Sequence, residues 1–410
     1  MEDRFDLVIT DVRLRDRSGE RLQVAVRDGR IAAITPDRPR GRIELDGGGN
    51  LLSASFVDAH LHLCKVYTLP MIGDEAIRRY TSGAMEQAGA AIALASAVKE
   101  QYAETWIYEN ARRALLEGLG HGVTHVQAFV DTDTRARLEA VRAILRLRDE
   151  LRGTVHVRIV AFPQDGVLRD PGAETHVREA LAMGADVVGG IPWIERTDTE
   201  AQEHTDRMFR LAREFDRDVA FLADDAGDPR LRTTEMLARA ALREGWVGRV
   251  TACHARAMRL YPEPYVRELV DLARRAGMAF VTDPHTGPLH LRFAELLDAG
   301  LPVALGQDDI ADAYYPYGQH SMLEVAFVAS HIVGTPTFAQ MEMLFEMITT
   351  LGARVMRLGD YGVAVGRAAH LVVLRGDTVH EALRRHAPPR YVISHGRLVA
   401  ESREDIHLHI

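Results

Sequence analysis

The segment 56–62 reads Phe56-Val57-Asp58-Ala59-His60-Leu61-His62. An apolar run with one acid leads into two histidines that are one residue apart. Side chains at positions i and i+2 of a β-strand point to the same face, so His60 and His62 converge on one point where the strand ends. Two converging imidazoles are suited to a divalent metal ion. Because the chain has 18 histidines, such a pair is also expected by chance. Its position at the end of a predicted strand is what favours a metal site.

Seven further apolar segments follow along the chain, and amphipathic helical segments separate them. Apolar runs that alternate with helices indicate a parallel sheet covered by helices on both faces. Eight such units predict a closed (β/α)8 TIM barrel of the α/β class. An open doubly wound sheet is the alternative, but it gathers its ligands at one switch point, whereas polar residues here end several strands. The predicted strands are 56–63, 123–130, 155–161, 186–191, 219–223, 249–253, 278–282 and 302–305.

Both chain ends consist of short strands with turn signals. Asp28-Gly29 joins two alternating segments near the start, and the segment 391–399 is typical of another hairpin near the end. We therefore expect one small β-sandwich domain built from both ends. The predicted division is 1–52 plus 358–410 for this domain and 53–357 for the barrel.

The composition is that of an ordinary globular protein, with 47% apolar and 27% charged residues among 410. A formal net charge of −9 argues against a nucleic-acid partner, because binding to phosphates needs a basic face. The two cysteines form no disulfide framework, and we find neither a signal peptide nor an apolar run of about 18 residues. These features predict a cytoplasmic protein without a membrane span, and we expect a homo-oligomer.

Two later predicted strands also end in polar side chains. Cys253-His254 ends the sixth strand, and Gln307-Asp308-Asp309 ends the eighth. Three histidines and an acid at strand ends would hold one metal ion and supply a base, because the metal lowers the pKa of bound water and a carboxylate takes the proton. Taken singly, His254 also fits a buried core histidine, and Asp308 fits a helix N-cap.

Several motifs resemble those of the amidohydrolase superfamily, in the branch of the cytosine deaminases and N-isopropylammelide amidohydrolases. The resemblance implies a barrel with a split β domain, one Zn²⁺ or Fe²⁺ ion with zinc favoured, and hydrolytic cleavage of a C–N bond in a small N-heterocycle. The matching segments are Phe56-Val57-Asp58-Ala59-His60-Leu61-His62, Val160-Ala161-Phe162-Pro163-Gln164-Asp165-Gly166, Gly184-Ala185-Asp186-Val187-Val188-Gly189-Gly190-Ile191-Pro192, Arg249-Val250-Thr251-Ala252-Cys253-His254 and Gly306-Gln307-Asp308-Asp309 with Tyr315-Pro316-Tyr317-Gly318.

The resemblance also implies roles for individual residues. His60, His62 and Asp308 would bind the metal. His254 would hydrogen-bond the attacking hydroxide, and Gln164 would hydrogen-bond the amide edge of the substrate. Catalysis would therefore rest on His254, Asp308 and the acid that takes the place of the family's proton-shuttling glutamate, which here is Asp225.

Departures from the family pattern occur at the fifth, second and seventh strands. Leu222 stands where the family has a metal-binding histidine, and Phe129 replaces a second-strand histidine. His285 follows the seventh strand, where the family usually has no histidine. The metal would then keep three protein ligands with extra water, or regain a fourth from Asp224, His285 or His254. Alternatively, the site holds little metal, and the chain is a weakly catalytic or non-catalytic binder of small molecules.

Lysine is rare in this chain, since only two of the 50 basic residues are lysines, Lys65 and Lys99. Lys65 lies just past His62, where a cation would hold a substrate carbonyl or ring oxygen. Lys99 lies in a polar segment and is predicted to be solvated. Trp193 follows the fourth strand in a position suited to stacking on a flat ring, although a tryptophan there also fits a lid or the core. His285 is a further candidate for substrate binding. The connection 66–118, with a predicted helix at 84–94, is long enough to be a lid.

Overall fold

The computed structural model describes residues 4–72, 78, 96–335, 337–404, 407 and 409, to which the structural statements below refer. Its strands are, in chain order, β1 (Phe5–Leu14), β2 (Arg17–Arg27), β3 (Arg30–Thr35), β4 (Gly41–Asp46), β5 (Leu52–Ala54), β6 (Phe56–Leu61), β7 (Val123–Asp131), β8 (His156–Phe162), β9 (Val187–Gly190), β10 (Asp218–Ala223), β11 (Val250–His254), β12 (Ala279–Thr282), β13 (Val303–Leu305), β14 (Leu371–Val373), β15 (Tyr391–Ser394) and β16 (Arg397–Glu401).

The α-helices connect these strands and cover the central sheet. They are α1 (Leu69–Ile72), α2 (Glu104–Gly120), α3 (Glu139–Glu150), α4 (Ala173–Met183), α5 (Asp198–Phe215), α6 (Thr233–Arg243), α7 (Glu263–Arg275), α8 (Phe293–Asp298), α9 (Met322–Val333), α10 (Phe338–Met347), α11 (Thr350–Val355) and α12 (Val379–Arg385). A 3₁₀ segment, Ser96–Gln101, precedes α2, and others follow strands at Pro192–Ile194, Arg256–Leu260 and Pro284–Thr286.

The central sheet is a closed barrel. Strands β6 to β13 are hydrogen-bonded in sequence order, and every neighbouring pair is parallel. A parallel bridge between Leu61 and Asp308 joins the first strand to the end of the last. Because the two edges of the sheet meet, the alternative of an open doubly wound sheet is wrong, and the predicted (β/α)8 barrel is confirmed.

The strands are buried on both faces, which explains their continuous apolar runs. Every residue of β6 and every residue of β7 is buried. The inner faces share one apolar cluster that includes Ala59, Phe129 and Leu222. The outer faces pack against the helices in a second, larger cluster. This two-sided burial is the reason that β-branched and aromatic residues dominate these strands.

The chain ends form two four-stranded sheets that pack face to face. One has the order β3-β2-β1-β4, and the other has the order β16-β15-β14-β5. A separate apolar core between them draws on Leu7, Ile9 and Val24 from the first sheet and on Leu371 and Ile393 from the second. A small β-sandwich made from both ends is thus present as predicted. The exact division at 1–52, 53–357 and 358–410 stays a prediction.

The sequence-based strands coincide with the observed ones to within a few residues at each end. The predicted helix at 84–94 lies outside the described residues, as does most of the connection that leads to it. Within the described part of the chain, no helix is both long enough and apolar enough to cross a membrane.

Two glycines near the end of α2 offer a test of the packing at the barrel wall. A Cβ on Gly118 would overlap the imidazole of His320, whereas a Cβ on Gly120 would meet nothing within 4 Å. His320 is completely buried and lies 3.1 Å from Asp58 Oδ2. We expect Gly118→Ala to lower the free energy of unfolding by about 1–3 kcal/mol through overpacking. Gly120→Ala should leave it unchanged or raise it by up to about 1 kcal/mol.

Thermal and urea unfolding of both variants beside the wild type would measure this difference. Equal stability of the two alanine variants would contradict the packing of α2 against His320.

Candidate active site

Four side chains with metal-binding atoms meet at the barrel mouth, where the parallel strands end. They are His60, His62, His254 and Asp308, and their donor atoms all lie within 4.8 Å of one another. The Nε2 atoms of the three histidines lie 3.1, 3.7 and 4.0 Å from Asp308 Oδ1, in that order. All four residues are buried. The pair predicted from the i, i+2 spacing therefore does share a point with the acid after the last strand.

Backbone strain accompanies two of these residues. His254 has a φ of 68° and Asp308 a φ of 65°, both in the left-handed region that non-glycine residues seldom adopt. In β11, Ala252 packs outward and Cys253 inward, so alternation alone would direct His254 outward. The left-handed backbone at His254 instead accompanies an inward-facing ring. Such strain at about 1–3 kcal/mol per residue is typical of functional sites.

Hydrogen bonds fix the orientation of these donors. Nδ1 of His254 lies 2.9 Å from Asp283 Oδ1, which directs Nε2 toward Asp308. Thr286 Oγ1 lies 2.6 Å from Asp283 Oδ2 and 2.9 Å from Asp308 Oδ2, so its single hydroxyl hydrogen is within donating distance of either carboxylate. Carboxylate partners of this kind commonly hold metal-binding histidines in place. Asp283 and Thr286 were not identified from the sequence.

Arg256 is the second feature that sequence reasoning missed. Its side chain is 1% exposed. Its Nε lies 2.8 Å from Asp225 Oδ1, and its Nη2 donates to Asp283 Oδ2 at 2.9 Å. A buried arginine is costly unless it is paired, so the guanidinium joins the ends of β10, β11 and β12. The sequence shows Arg256 only as one of many arginines, because its partners lie 31 and 27 residues away.

The electrostatics of the mouth favour a bound cation. Three carboxylates, those of Asp225, Asp283 and Asp308, surround His254, and Arg256 is the guanidinium paired with them. Burial lowers the pKa of His254, but the three carboxylates outweigh it and raise the pKa to about 9. Nε2 of His60 and Nε2 of His254 are buried and make no hydrogen bond with the described residues. Imidazole nitrogens and a carboxylate in a surplus of negative charge fit a divalent metal ion such as zinc.

The proposed substitutes for the missing fifth-strand histidine have different surroundings. Asp224 accepts hydrogen bonds from Thr233 N at 2.6 Å and Thr234 N at 3.0 Å, so it caps α6. His285 Nε2 lies 3.0 Å from the carbonyl oxygen of Gln307. Neither belongs to the four-residue cluster, whereas His254 does. Among the three candidates, the geometry therefore favours His254.

An apolar wall occupies the place of the missing donors. Leu222 is buried in the same cluster as Phe129 and Phe162. The ring centroid of Phe129 lies 4.1 Å from that of His60, and the ring of Phe162 lies 5.4 Å from that of His62. These rings, from the second and third barrel strands, confine the imidazoles of His60 and His62 from one side, and Leu222 on the fifth strand offers no metal-binding atom.

The predicted substrate-binding residues are only partly brought together. Lys65 Nζ donates to Gln164 Oε1 at 2.5 Å and lies 5.3 Å from the ring centre of Tyr314. Lys65 and Gln164 therefore touch each other at the mouth. Trp193 lies in the 3₁₀ segment after β9 and packs against the inner apolar cluster. His285 stacks edge-on against Tyr315, with ring centroids 5.0 Å apart.

The prediction that Lys99 is solvated is wrong. Lys99 is 2% exposed, and its Nζ pairs with the carboxylates of Asp133 and Asp165, the latter at 2.9 Å. These acids follow β7 and β8, respectively. The local polarity of Lys99-Glu100-Gln101 resembles that of a solvated turn, and the acids that bury the lysine are distant in sequence.

The comparisons with known proteins agree with this site. The profile of the amidohydrolase family matches residues 44–400. N-isopropylammelide isopropyl amidohydrolase of Pseudomonas sp. (strain ADP) is 30% identical over 97% of this chain and 98% of its own. Pterin deaminase of Rhizobium rhizogenes is 25% identical over 94% of this chain and 89% of its own.

Solved structures are similar over the whole chain. That of 5-methylcytosine deaminase from Klebsiella pneumoniae with 5-fluorocytosine is 31% identical, with a TM-score of 0.89, over 98% of this chain and 99% of its own. That of N-isopropylammelide isopropylaminohydrolase from Burkholderia multivorans is 26% identical, with a TM-score of 0.84, over 97% of this chain and 98% of its own.

The chain belongs to the amidohydrolase family, in the branch predicted from its motifs. It is a hydrolase that acts on C–N bonds, as the sequence predicts, and its cluster of three histidines and an aspartate has the donor atoms to hold a divalent metal ion.

The metal assignment is tested by removing donors one at a time. We expect His60→Ala and Asp308→Ala to lose activity and most of the bound metal while retaining the fold, because each removes a donor atom from a buried cluster. His254→Ala should weaken metal binding as well. His285→Ala is the control, since its ring lies outside the cluster and should leave the metal content unchanged.

Elemental analysis of purified variants, with circular dichroism as a check of folding, measures these outcomes. Full metal occupancy in His60→Ala and Asp308→Ala would overturn the assignment. Loss of metal in His285→Ala would show that His285, which lies outside the cluster, takes part in binding the metal.

Proposed function

We propose that this protein uses one zinc ion to hydrolyse an exocyclic or ring C–N bond of a small N-heterocycle. The observation that carries the proposal is the buried cluster of His60, His62, His254 and Asp308 at the barrel mouth. The names of the relatives support the substrate class, since they act on ammelide, pterin and cytosine derivatives. A small molecule is the partner in this proposal; a cytoplasmic homo-oligomer without nucleic acid stays a prediction.

The residues of the site have two roles in this reaction, which are metal binding and proton transfer. His60, His62, His254 and Asp308 would hold a divalent ion, which would supply a water nucleophile near neutral pH by lowering the pKa of that water. Water adds to the ring carbon, the C–N bond breaks, and the leaving nitrogen takes up a proton. We assign the transfer of that proton to Asp225, which lies at the end of β10. Burial raises the pKa of Asp225, which moves this carboxyl toward the range that suits proton transfer.

Substrate recognition is assigned to residues that follow other strands around the mouth. Gln164 presents an amide that is complementary to the amide edge of a lactam or pyrimidine ring. Lys65 is the adjacent cation and would hold a carbonyl or anionic ring oxygen of the substrate. Trp193 and His285 would line the space that the substrate ring occupies. Leu222 and Phe129 change the wall beside the metal from polar to apolar. We therefore propose a ring other than unsubstituted cytosine.

The experiment is a screen of metal-loaded protein for release of ammonia or an alkylamine from pyrimidines, triazines, pterins, imidazoles and lactams. Turnover that is lost on chelation and restored by zinc would support the proposal. Full zinc occupancy without turnover, but with saturable binding of one of these rings, would favour the alternative of a weakly catalytic or non-catalytic binder.

The role of Asp225 is tested with a neighbouring acid as control. We expect Asp225→Asn to lower the rate by about 10²–10⁴-fold, the usual effect of losing a general acid–base, without emptying the metal site. Asp228→Asn changes an acid three residues further on that pairs with Arg230 at the surface. It should keep the wild-type rate. If Asp225→Asn turned over as fast as the wild type, another residue would carry the proton.

A further inference from the structure

Two lysines in an otherwise arginine-rich chain contact neighbouring residues of one loop. Lys65 Nζ donates to Gln164 Oε1 at 2.5 Å, and Lys99 Nζ donates to Asp165 Oδ1 at 2.9 Å. They are the only lysines among 50 basic residues. Both are at most 4% exposed. The substrate-facing turn after β8 is therefore held from two sides by two buried ammonium groups.

Acidic residues at the ends of β7 and β8 surround these ammonium groups. Asp133, which follows β7, accepts a hydrogen bond from Lys99, and its Oδ1 also accepts one from Asp165 N at 2.6 Å. Asp131, at the end of β7, lies 3.9 Å from Lys65 Nζ. Lys99 thus joins two loops, because one ammonium group contacts a carboxylate from each.

The segment that carries Lys99 makes further buried contacts with the same strand ends. Ser96 Oγ donates to Asp165 Oδ1 at 2.7 Å, and Tyr102 OH donates to Asp131 Oδ2 at 2.8 Å. The residues from Ser96 to Tyr102 therefore lie on the barrel mouth and make polar contacts at both ends and in the middle. They form the described end of the long connection between β6 and α2.

We propose that Lys99 is a positioning residue that fixes the turn Gln164-Asp165 and, through it, the amide with which Gln164 binds substrate. Lys65 and Lys99 together form a two-lysine clamp on this turn. The clamp rests on the proposed function only in its effect on substrate binding, since the ordering of the turn is a property of the protein alone.

The chemistry of the side chains explains why lysine serves here. An ammonium group is compact and has three donors that can point in different directions, whereas a guanidinium is larger and planar. Lys99 must reach Asp133 and Asp165 from one buried point. Removing the ammonium leaves the buried carboxylate of Asp133 and the partly buried carboxylate of Asp165 without their cation, so the loops should separate and admit water. Gln164 would then lose its fixed position.

The experiment compares Lys99→Met and Lys99→Arg with a control on the opposite face of the barrel. Arg158 lies near the start of β8, at the other end of the strand that leads into the Gln164-Asp165 turn, and its partly buried guanidinium pairs with Asp218, so Arg158→Met removes an ion pair far from the mouth. Hydrogen exchange is measured for 96–102 and 163–166, together with metal content, KM and kcat.

We expect Lys99→Met to speed exchange in both segments and to raise KM by about tenfold or more, on the scale of one lost hydrogen bond to a charged group. Metal content should be unchanged, and kcat should fall less than KM rises. Lys99→Arg should restore slow exchange in part, because it keeps the charge. Arg158→Met should lower thermal stability without changing exchange in these segments or KM.

Several outcomes would overturn the clamp. Wild-type exchange and wild-type KM in Lys99→Met would do so. Equal disturbance of both segments in Arg158→Met would also do so, because it would indicate general loosening. If Lys99→Met does not fold, Ser96→Ala removes only the hydroxyl bond to Asp165 and should speed exchange of the same two segments; unchanged exchange would count against the proposal. If no substrate is found, the proposed function fails, and the exchange measurements still decide the clamp.

Discussion

The pairing of the first barrel strand with the end of the last is the contact on which the active site depends. His62 N donates to the carbonyl oxygen of Asp308 at 2.7 Å, and Asp308 N donates to that of His60 at 2.8 Å. These two backbone bonds close the barrel and, in the same step, set the aspartate beside both histidines of the i, i+2 pair. Barrel closure and the arrangement of the metal-binding side chains therefore depend on the same strand contact. A shift in the register of this contact would separate these side chains and open the sheet.

Packing and ion pairs together hold the mouth around this contact. Leu222 and Phe129 contribute packing where the family pattern leads us to expect imidazoles. The polar connections run through Arg256, which joins Asp225 to Asp283, and from Asp283 to His254. The fifth strand therefore contributes no metal-binding side chain. Asp225, at its end, is connected to the four-residue cluster through the ion pair with Arg256, which follows the sixth strand. Asp225 is shorter than the glutamate expected from the family pattern, and the guanidinium of Arg256 lies 2.8 Å from its carboxylate.

The sequence predicts those features that depend on local periodicity and fails where distant residues meet. Strand and helix alternation indicates the barrel, and the i, i+2 spacing indicates His60 and His62, because both rest on neighbouring residues. Nothing local reveals that left-handed backbone accompanies the inward-facing His254, nor that Arg256 is paired with acids on two other strands. The prediction of a solvated Lys99 is wrong for the same reason. Its immediate neighbours are polar, but the carboxylates that pair with it lie 34 and 66 residues further along the chain.

The acids at the mouth also bear on how the metal and the fold are related. Asp225, Asp283 and Asp308 converge from three strand ends, and Arg256 compensates only part of their charge. Bringing like charges together in a buried site is unfavourable, so the mouth is the part of the barrel that gains most from a bound cation. Since ion binding to a folded site is linked to folding, metal stabilises these strand ends beyond its role in the chemistry. The lower and outer parts of the barrel are held by apolar packing and by ion pairs such as Arg158–Asp218, and they do not share this dependence. Metal binding should therefore order the mouth locally within a barrel that is already folded.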